Sequence, residues 1–157
     1  MVVHFKIIIM IHKVLVVNDD SMVLFVACKV IMNTKFADET VTARDGSEAL
    51  AYFEKIAVSG NADFKEVPDF IFLDLNMPNM NGWDFLDIFS KKYAERFPGV
   101  RVAIMSSSND RRELDELQKY NIVLDFIENP ISKGKLELIK DKFLKVQMEC
   151  FPENCTA

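Results

Sequence analysis

The 157-residue sequence has few of the features that mark several large classes of protein. Its three cysteines, Cys28, Cys150 and Cys155, have no metal-ligand spacing and indicate no disulfide framework, which fits a reducing cytosol. The formal net charge is -5 and no stripe of lysine or arginine is present. Because phosphate backbones bind to basic patches, we expect no nucleic-acid partner.

The apolar first segment, residues 1–17, lacks the features of a membrane anchor or a signal peptide. It is interrupted at His4, Lys6, His12 and Lys13, whereas a membrane helix needs roughly 20 consecutive apolar residues. It also has no small-residue cleavage site. We therefore expect no membrane partner and a cytoplasmic location. Residues 1–12 are interpreted as an N-terminal extension, with Met10 as an alternative translation start.

Short apolar runs alternate five times with helical patterns along the chain. The runs are residues 14–17, 40–43, 70–73, 102–105 and 126–128. The first helix is predicted to bury a stripe formed by Val23, Val26, Ala27, Val30 and Ile31. The third helix is predicted over residues 83–97, the fourth begins at Asn109 and Asp110, and the last begins near Lys135. This alternation predicts an α/β fold with a parallel sheet and helices on both faces.

Polar side chains stand where the predicted strands end, at Asn18, Asp19, Asp74, Ser106 and Asn129. A single aspartate at such a position is most often a turn or capping residue. Right-handed crossovers, however, bring the carboxyl ends of all the strands to one edge of the sheet. Ligands bind at that edge in open α/β sheets, so the five residues together predict a site.

The predicted site has the ligands that magnesium prefers. Asp19 and Asp74 supply two carboxylates, and a backbone carbonyl near Asn76 supplies a third oxygen. A metal beside a carboxylate is sufficient for Asp74 to accept a phosphoryl group, because phosphoryl transfer depends mainly on positioning and charge neutralisation. Ser106 is a candidate hydrogen-bond donor to a phosphate oxygen.

Five motifs in the same order carry a resemblance to a known family. They are Val-Val-Asn-Asp-Asp at 16–20, Ala-Arg-Asp-Gly-Ser-Glu-Ala-Leu at 43–50, Asp-Leu-Asn-Met-Pro-Asn-Met-Asn-Gly at 74–82, Ile-Met-Ser-Ser at 104–107 and Phe-Ile-Glu-Asn-Pro at 126–130. Over residues 13–144 the chain resembles the receiver domain of response regulators in two-component signalling. The resemblance implies a flavodoxin-like, doubly wound, five-stranded sheet of order 2-1-3-4-5.

The resemblance also implies a role for each site residue. Asp74 corresponds to the phosphoacceptor, Asp19 to a direct Mg²⁺ ligand, and Asn76 to the residue that gives its backbone carbonyl to the metal. Ser106 corresponds to the hydroxyl that follows the phosphate. Phe126 corresponds to the aromatic switch residue on the face formed by the fourth helix, fifth strand and fifth helix.

Two residues depart from the family pattern. Asn18 stands where an acidic residue is usual, so we expect it to hold a metal-bound water and to weaken Mg²⁺ binding. Asn129 stands where a lysine is usual, and an amide offers hydrogen bonds to a phosphoryl group without charge. The two changes balance in formal charge, which favours a site that still works.

Partners are also implied by the resemblance. A histidine kinase or phosphotransfer protein docks near the first helix in this family, which would explain the apolar Met22, Leu24 and Phe25. Burial of that helix by the N-terminal extension is an alternative explanation. A homodimer through the face of the fourth helix, fifth strand and fifth helix is a further expectation. Residues 13–146 are assigned to the receiver domain and 147–157 to a C-terminal tail.

Three functions follow from these observations. The preferred one is a stand-alone receiver, not an enzyme, that is phosphorylated on Asp74 and signals through protein–protein interaction. The second is a pseudo-receiver, an interaction module that works without phosphorylation, indicated by Asn18 and Asn129. The third is a small phosphatase with Asp74 as nucleophile, which is disfavoured because Asn76 stands where a general-acid carboxylate is needed.

Overall fold

The computed structural model describes residues 10–60, 65–106 and 111–150, in which strands and helices alternate. Their bounds are β1 Ile11–Val17, α1 Ser21–Asn33, β2 Ala37–Ala43, α2 Gly46–Val58, β3 Phe70–Asp74, α3 Gly82–Lys92, β4 Arg101–Ser106, α4 Arg111–Leu117, β5 Val123–Glu128 and α5 Lys133–Cys150. The five strands form one parallel sheet in the order β2-β1-β3-β4-β5. The predicted fold class and strand order are therefore confirmed.

The sheet is buried on both faces because its central strands are apolar at successive positions. In β3, Phe70 and Phe72 belong to one core cluster, whereas Ile71 and Leu73 belong to the other. α1 and α5 pack on the first cluster, and α2, α3 and the end of α4 pack on the second. A strand with two covered faces is expected to lack polar alternation, as this one does.

Several predicted boundaries differ from those observed. β1 begins at Ile11, inside the predicted extension, and α5 continues to Cys150, beyond the predicted domain end at 146. α3 ends at Lys92 rather than at 97, because the backbone of Tyr93 leaves the helical region, with a φ of -122° and a ψ of -22°. The predicted start of α4 at residues 109–110 lies outside the described residues, as do residues 1–9 of the extension and 151–157 of the tail.

The buried face of α1 differs from the predicted stripe. Its buried side chains are Leu24, Ala27 and Ile31, whereas Val26 is 38% exposed. Asp20 caps the helix through the backbone N–H groups of Met22 and Val23, and the helix directs Leu24 towards the core shared with β1 and α5. The assignment of Leu24 to a docking surface is therefore wrong.

One charged side chain is buried in β1. Lys13 is 3% exposed, and its Nζ lies 3.3 Å from a carboxylate oxygen of Glu39 and 3.2 Å from one of Glu66. Burial lowers the pKa of Lys13, but hydrogen bonds to Tyr52 and Glu66 outweigh burial and leave this pKa above its ordinary value. Lys13 thus links Glu66, in the segment before β3, to the edge of the sheet at which the strands begin.

None of the helices in the described parts of the chain is long and apolar enough to cross a membrane.

Candidate functional site

The strand register brings the polar strand ends together at one edge of the sheet. Val17 is paired with Leu73, which sets Asn18 beside Asp74, and Asp74 is paired with Met105. Ser106 is paired with Glu128, and the N–H of Asn129 donates to the carbonyl of Ser106 at 3.3 Å. The predicted convergence of these residues is confirmed, although their chemical roles remain predictions.

Asp74 is half-buried at the end of β3, and each of its carboxylate oxygens accepts a hydrogen bond. Oδ1 accepts from the N–H of Asn76 at 3.0 Å, and Oδ2 accepts from Nδ2 of Asn18 at 3.2 Å. Burial raises the pKa of the Asp74 carboxyl, the N–H of Asn76 opposes this rise, and the charge of Asp19 adds to it. A partly desolvated carboxylate beside a second one is stabilised by a cation.

Gly82 permits the close approach of α3 to the end of β3. A Cβ at this position would lie 2.5 Å from the carbonyl oxygen of Asp74 and 2.8 Å from the Cα of Leu75. The N–H of Gly82 also donates to the carbonyl of Leu75 at 3.0 Å. The sequence indicates a turn at Gly82, but only the structure reveals that the backbone of the phosphoacceptor candidate rests against it.

The loop between β3 and α3 is tied to the start of α2. Asn79 has a φ of +63° and donates from Nδ2 to a carboxylate oxygen of Asp45 at 3.2 Å. The N–H of Gly46 donates to the carbonyl of Met80 at 3.0 Å. Asn81 then caps α3 by accepting from the N–H of Asp84 at 2.9 Å. These bonds hold the loop that carries Asn76.

The residues at this edge fit a magnesium ion. Asp19 is exposed, and its charge acts on Asp74. The side chain of Asp20 is engaged in capping α1. Within residues 10–60, 65–106 and 111–150, no three acidic, histidine or cysteine side chains gather as a metal cluster. The available set is therefore two carboxylates and the predicted carbonyl of Asn76, which suits Mg²⁺ because this ion retains several waters.

Asn18 directs the NH₂ group of its amide at Asp74. Its Oδ1 accepts the N–H of Asp20 at 2.8 Å, and its Nδ2 donates to Asp74. A metal-bound water donates hydrogen bonds and needs an acceptor. Oδ1 keeps a second lone pair beyond the bond from Asp20, so the role of Asn18 as a holder of metal-bound water stays a prediction.

The position of the usual lysine is filled by Asn129, which is partly buried and followed by a cis peptide bond to Pro130. A nearby ammonium belongs to Lys135, whose Nζ donates to the carbonyls of Glu128 at 2.8 Å and Pro130 at 3.2 Å. The N–H of Asn129 points towards β4, so the Glu128 carbonyl in the same peptide plane points the opposite way. Lys135 therefore lies on the outer side of β5 and does not replace the missing lysine.

Phe126, the predicted switch residue, lies in β5 opposite Ile104 and packs against the cluster that contains α2 and α3. It borders a groove of about 550 Å³ between α4 and β5 that is also lined by Leu114, Leu117 and Val123. A change in the rotamer of Phe126 would alter this groove.

A second groove joins α1 to the loop between β5 and α5. It has a volume of about 290 Å³ and is lined by Met22, Val23, Val26, Ala27, Asn129, Pro130 and Ile131. Met22 is 66% exposed and the neighbouring Phe25 is 57% exposed, with Lys29 Nζ 5.6 Å from the ring centre. Two of the three predicted docking residues, Met22 and Phe25, are thus on the surface.

Comparison with known families identifies the class of protein. The model of the response regulator receiver domain matches residues 14–139. The chain therefore belongs to the response regulator receiver domain family of two-component systems.

Individual relatives agree with this assignment. The chain is 31% identical over 137 residues to hybrid signal transduction histidine kinase L of Dictyostelium discoideum, covering 85% of this chain and 7% of the kinase. It is 28% identical over 134 residues to a protein-glutamate methylesterase/protein-glutamine glutaminase of Pyrococcus abyssi, covering 84% of this chain and 33% of that protein. The chain thus spans a third or less of the length of these two curated relatives.

Solved structures share the fold. A two-component response regulator from Cytophaga hutchinsonii is 26% identical, with a TM-score of 0.76 over 87% of this chain and 98% of that one. The phosphorylated cyanobacterial phytochrome response regulator RcpA is also 26% identical, with a TM-score of 0.63 over 83% of this chain and 89% of that one.

Proposed function

We propose that this chain is a phosphoacceptor that takes a phosphoryl group on Asp74 from a histidine kinase or a phosphotransfer protein, with Mg²⁺ as cofactor, and signals by binding another protein. The observation that carries the proposal is the position of Asp74, half-buried at the carboxyl edge of β3 with Asp19 beside it. The similarity to a response regulator that was solved in its phosphorylated form supports it.

The transfer step needs little covalent chemistry from the protein. A carboxylate oxygen of Asp74 forms a bond to phosphorus while the P–N bond of a phosphohistidine breaks, and the imidazole nitrogen leaves with the electron pair. Bound Mg²⁺, held by Asp19, Asp74 and the carbonyl of Asn76, would neutralise charge on the phosphoryl oxygens. The N–H of Asn76 orients the carboxylate, and the hydroxyl of Ser106 donates to a phosphoryl oxygen after transfer.

The donor protein docks on the groove between α1 and the β5–α5 loop. Met22 lines the groove and is exposed, and Phe25 on the same helix is also exposed. Asn129 at the groove wall also lies at the phosphoacceptor edge. A partner seated there would therefore reach Asp74. Replacing Phe25 with serine should slow transfer from the donor protein without slowing uptake from a small phosphodonor, because only the former needs the surface.

The output surface is the groove between α4 and β5, which Phe126 borders. Phosphorylation would change the rotamer of Phe126 and thereby the affinity of this groove for a target or for a second copy of the chain. Sedimentation of the phosphorylated and unphosphorylated chain distinguishes a homodimer from a heterologous target. A mass that stays monomeric in both forms contradicts the homodimer.

A second candidate is the phosphorylation-independent pseudo-receiver. Two observations favour it. Asn18 donates a hydrogen bond to a carboxylate oxygen of Asp74, which gives that oxygen a partner without metal. A neutral amide, that of Asn129, stands in place of a lysine.

Phosphoryl uptake tests the two candidates. The native chain and Asp74→Asn are incubated with acetyl phosphate, with and without Mg²⁺, and analysed by intact mass. Metal-dependent addition of one phosphoryl group that is absent in Asp74→Asn supports the phosphoacceptor. No addition to the native chain, together with addition to Asn129→Lys, contradicts it and favours the pseudo-receiver.

A further inference from the structure

Asn18 is fixed from three sides at the edge of the sheet. It is 3% exposed, although Asp19 and Asp20, which follow it, are exposed. Its backbone N–H donates to the carbonyl of Ala43 at 3.1 Å, its Oδ1 accepts the N–H of Asp20 at 2.8 Å, and its Nδ2 donates to Asp74 Oδ2 at 3.2 Å. A buried amide with both ends bonded has one orientation.

The partners determine that orientation. The backbone N–H of Asp20 is a donor only, so it must face the amide oxygen of Asn18. The ionised carboxylate of Asp74 is an acceptor only, so it must face the amide NH₂ group. Rotation of the amide by 180° would set donor against donor and acceptor against acceptor. The NH₂ group is therefore directed at the phosphoacceptor candidate.

The turn at Asp20 does not by itself require asparagine. An aspartate at position 18 would accept the N–H of Asp20 equally well, since Asp and Asn both form this turn. It would then turn its second, charged oxygen towards Asp74 Oδ2, and two carboxylates would meet at a partly buried position with Asp19 close by. The bond from Nδ2 to Asp74 is thus the contact that distinguishes asparagine from aspartate at this position.

We propose that Asn18 is a positioning residue that holds Asp74 in place without metal and, in doing so, lowers the affinity of the site for Mg²⁺. The inference deepens the proposed function, on which it rests. In the metal-free chain the amide N–H satisfies the oxygen of Asp74 that a neighbouring carboxylate would repel. The same N–H directs a partial positive charge towards the site and supplies no ligand oxygen. Mg²⁺ therefore binds less tightly than it would beside an aspartate at position 18.

If the proposal holds, an aspartate at position 18 should raise the affinity for Mg²⁺ and should no longer support Asp74 in the metal-free chain. Asn18→Asp should bind Mg²⁺ about tenfold more tightly or better, because affinity rises with the number of ligand charges. Its metal-free form should unfold at a lower temperature than the native chain, and added Mg²⁺ should restore it. Asn18→Ala should also lower the metal-free unfolding temperature, because Asp74 loses its donor, but it should not gain the tenfold in affinity.

The test is a calorimetric titration with MgCl₂ together with thermal unfolding with and without Mg²⁺, on the native chain and three variants. The matched control is Asn81→Asp, which adds the same charge near this edge while keeping a good cap for α3. Its Mg²⁺ affinity should remain within about twofold of the native chain, since the added charge lies outside the ligand set.

Each outcome bears on the proposal. A tenfold gain confined to Asn18→Asp, with metal-free destabilisation in both position-18 variants, supports it. The proposal is overturned if Asn18→Asp binds Mg²⁺ no more tightly than the native chain, if Asn81→Asp gains as much, or if Asn18→Ala unfolds at the native temperature. All these measurements use unphosphorylated protein, so failure of the inference appears in Mg²⁺ binding and unfolding, whereas failure of the proposed function appears in phosphoryl uptake.

Discussion

Replacement of Gly82 by alanine tests the close contact between α3 and the phosphoacceptor strand. The added Cβ would meet two backbone atoms, the carbonyl oxygen of Asp74 at 2.5 Å and the Cα of Leu75 at 2.8 Å. A backbone yields less readily than a flexible side chain, so the strain should reach about 3 kcal/mol, the upper end for overpacking. Alanine in a helix recovers up to about 1 kcal/mol relative to glycine. The net loss is about 2 kcal/mol, or roughly 30-fold in the unfolding equilibrium.

Urea unfolding measures this loss directly, and Gly134→Ala is the matched control. Gly134 lies in the first turn of α5, and a Cβ there would meet no atom within 4 Å beyond its chain neighbours and the backbone of its own helix. The control should be neutral or more stable than the native chain. Gly82→Ala should also accept less phosphoryl group from acetyl phosphate, because relief of the clash must displace the backbone of Asp74. If Gly82→Ala unfolds at the native midpoint, the close approach has no energetic consequence and the reasoning fails.

Two further predictions concern the core and a tyrosine. Leu24→Ala should destabilise the chain by about 2–5 kcal/mol because it leaves a cavity, whereas exposed Met22→Ala should change stability by no more than about 0.5 kcal/mol; equal losses in urea unfolding would contradict the burial of Leu24. Burial and the 2.6 Å hydrogen bond to Asp87 raise the pKa of Tyr120 to about 12. Because the folded pKa exceeds the unfolded value of about 10, stability present below pH 10 is lost as pH rises towards 12. Tyr120→Phe should reduce this loss in unfolding measured from pH 9 to 12, and an unchanged pH dependence would refute it.

The fold could be predicted from the sequence because its signal is repeated. Five apolar runs separated by amphipathic patterns allow few arrangements of a parallel sheet, and the strand order followed from the family motifs. The ends of the helices and strands were predicted less accurately, since they depend on local competition between regular structure and turns. The helix predicted through residue 97 ends at Lys92, while Tyr93 and Phe97 remain buried in irregular backbone. Burial alone therefore did not distinguish helix from turn.

The face of α1 was mispredicted because nearly every residue on it is apolar. With Val23, Leu24, Phe25 and Val26 in succession, hydrophobicity does not determine which residue points inwards. The cap at Asp20 and the crossing of α1 over the sheet decide it, and both depend on tertiary structure.

The convergence of the site residues could be predicted, whereas their hydrogen bonds could not. Alternation of strands and helices is enough to bring Asn18 and Asp74 to one edge. The direction of the Asn18 amide depends on the backbone N–H of Asp20, which no pattern of side chains specifies. The close approach at Gly82 likewise depends on the angle at which α3 leaves the loop.

The two-sided core has a consequence for how substitutions combine. Leu24 and Phe53 lie in different clusters, separated by the sheet, and share no cluster neighbours. Their losses on truncation should therefore add, and a double-mutant cycle between them should give an interaction energy near zero, within about 0.5 kcal/mol. Substitutions in the core on one face of the sheet are therefore tolerated independently of packing on the other face. This independence ends when the summed losses in the free energy of unfolding exceed the stability of the whole domain.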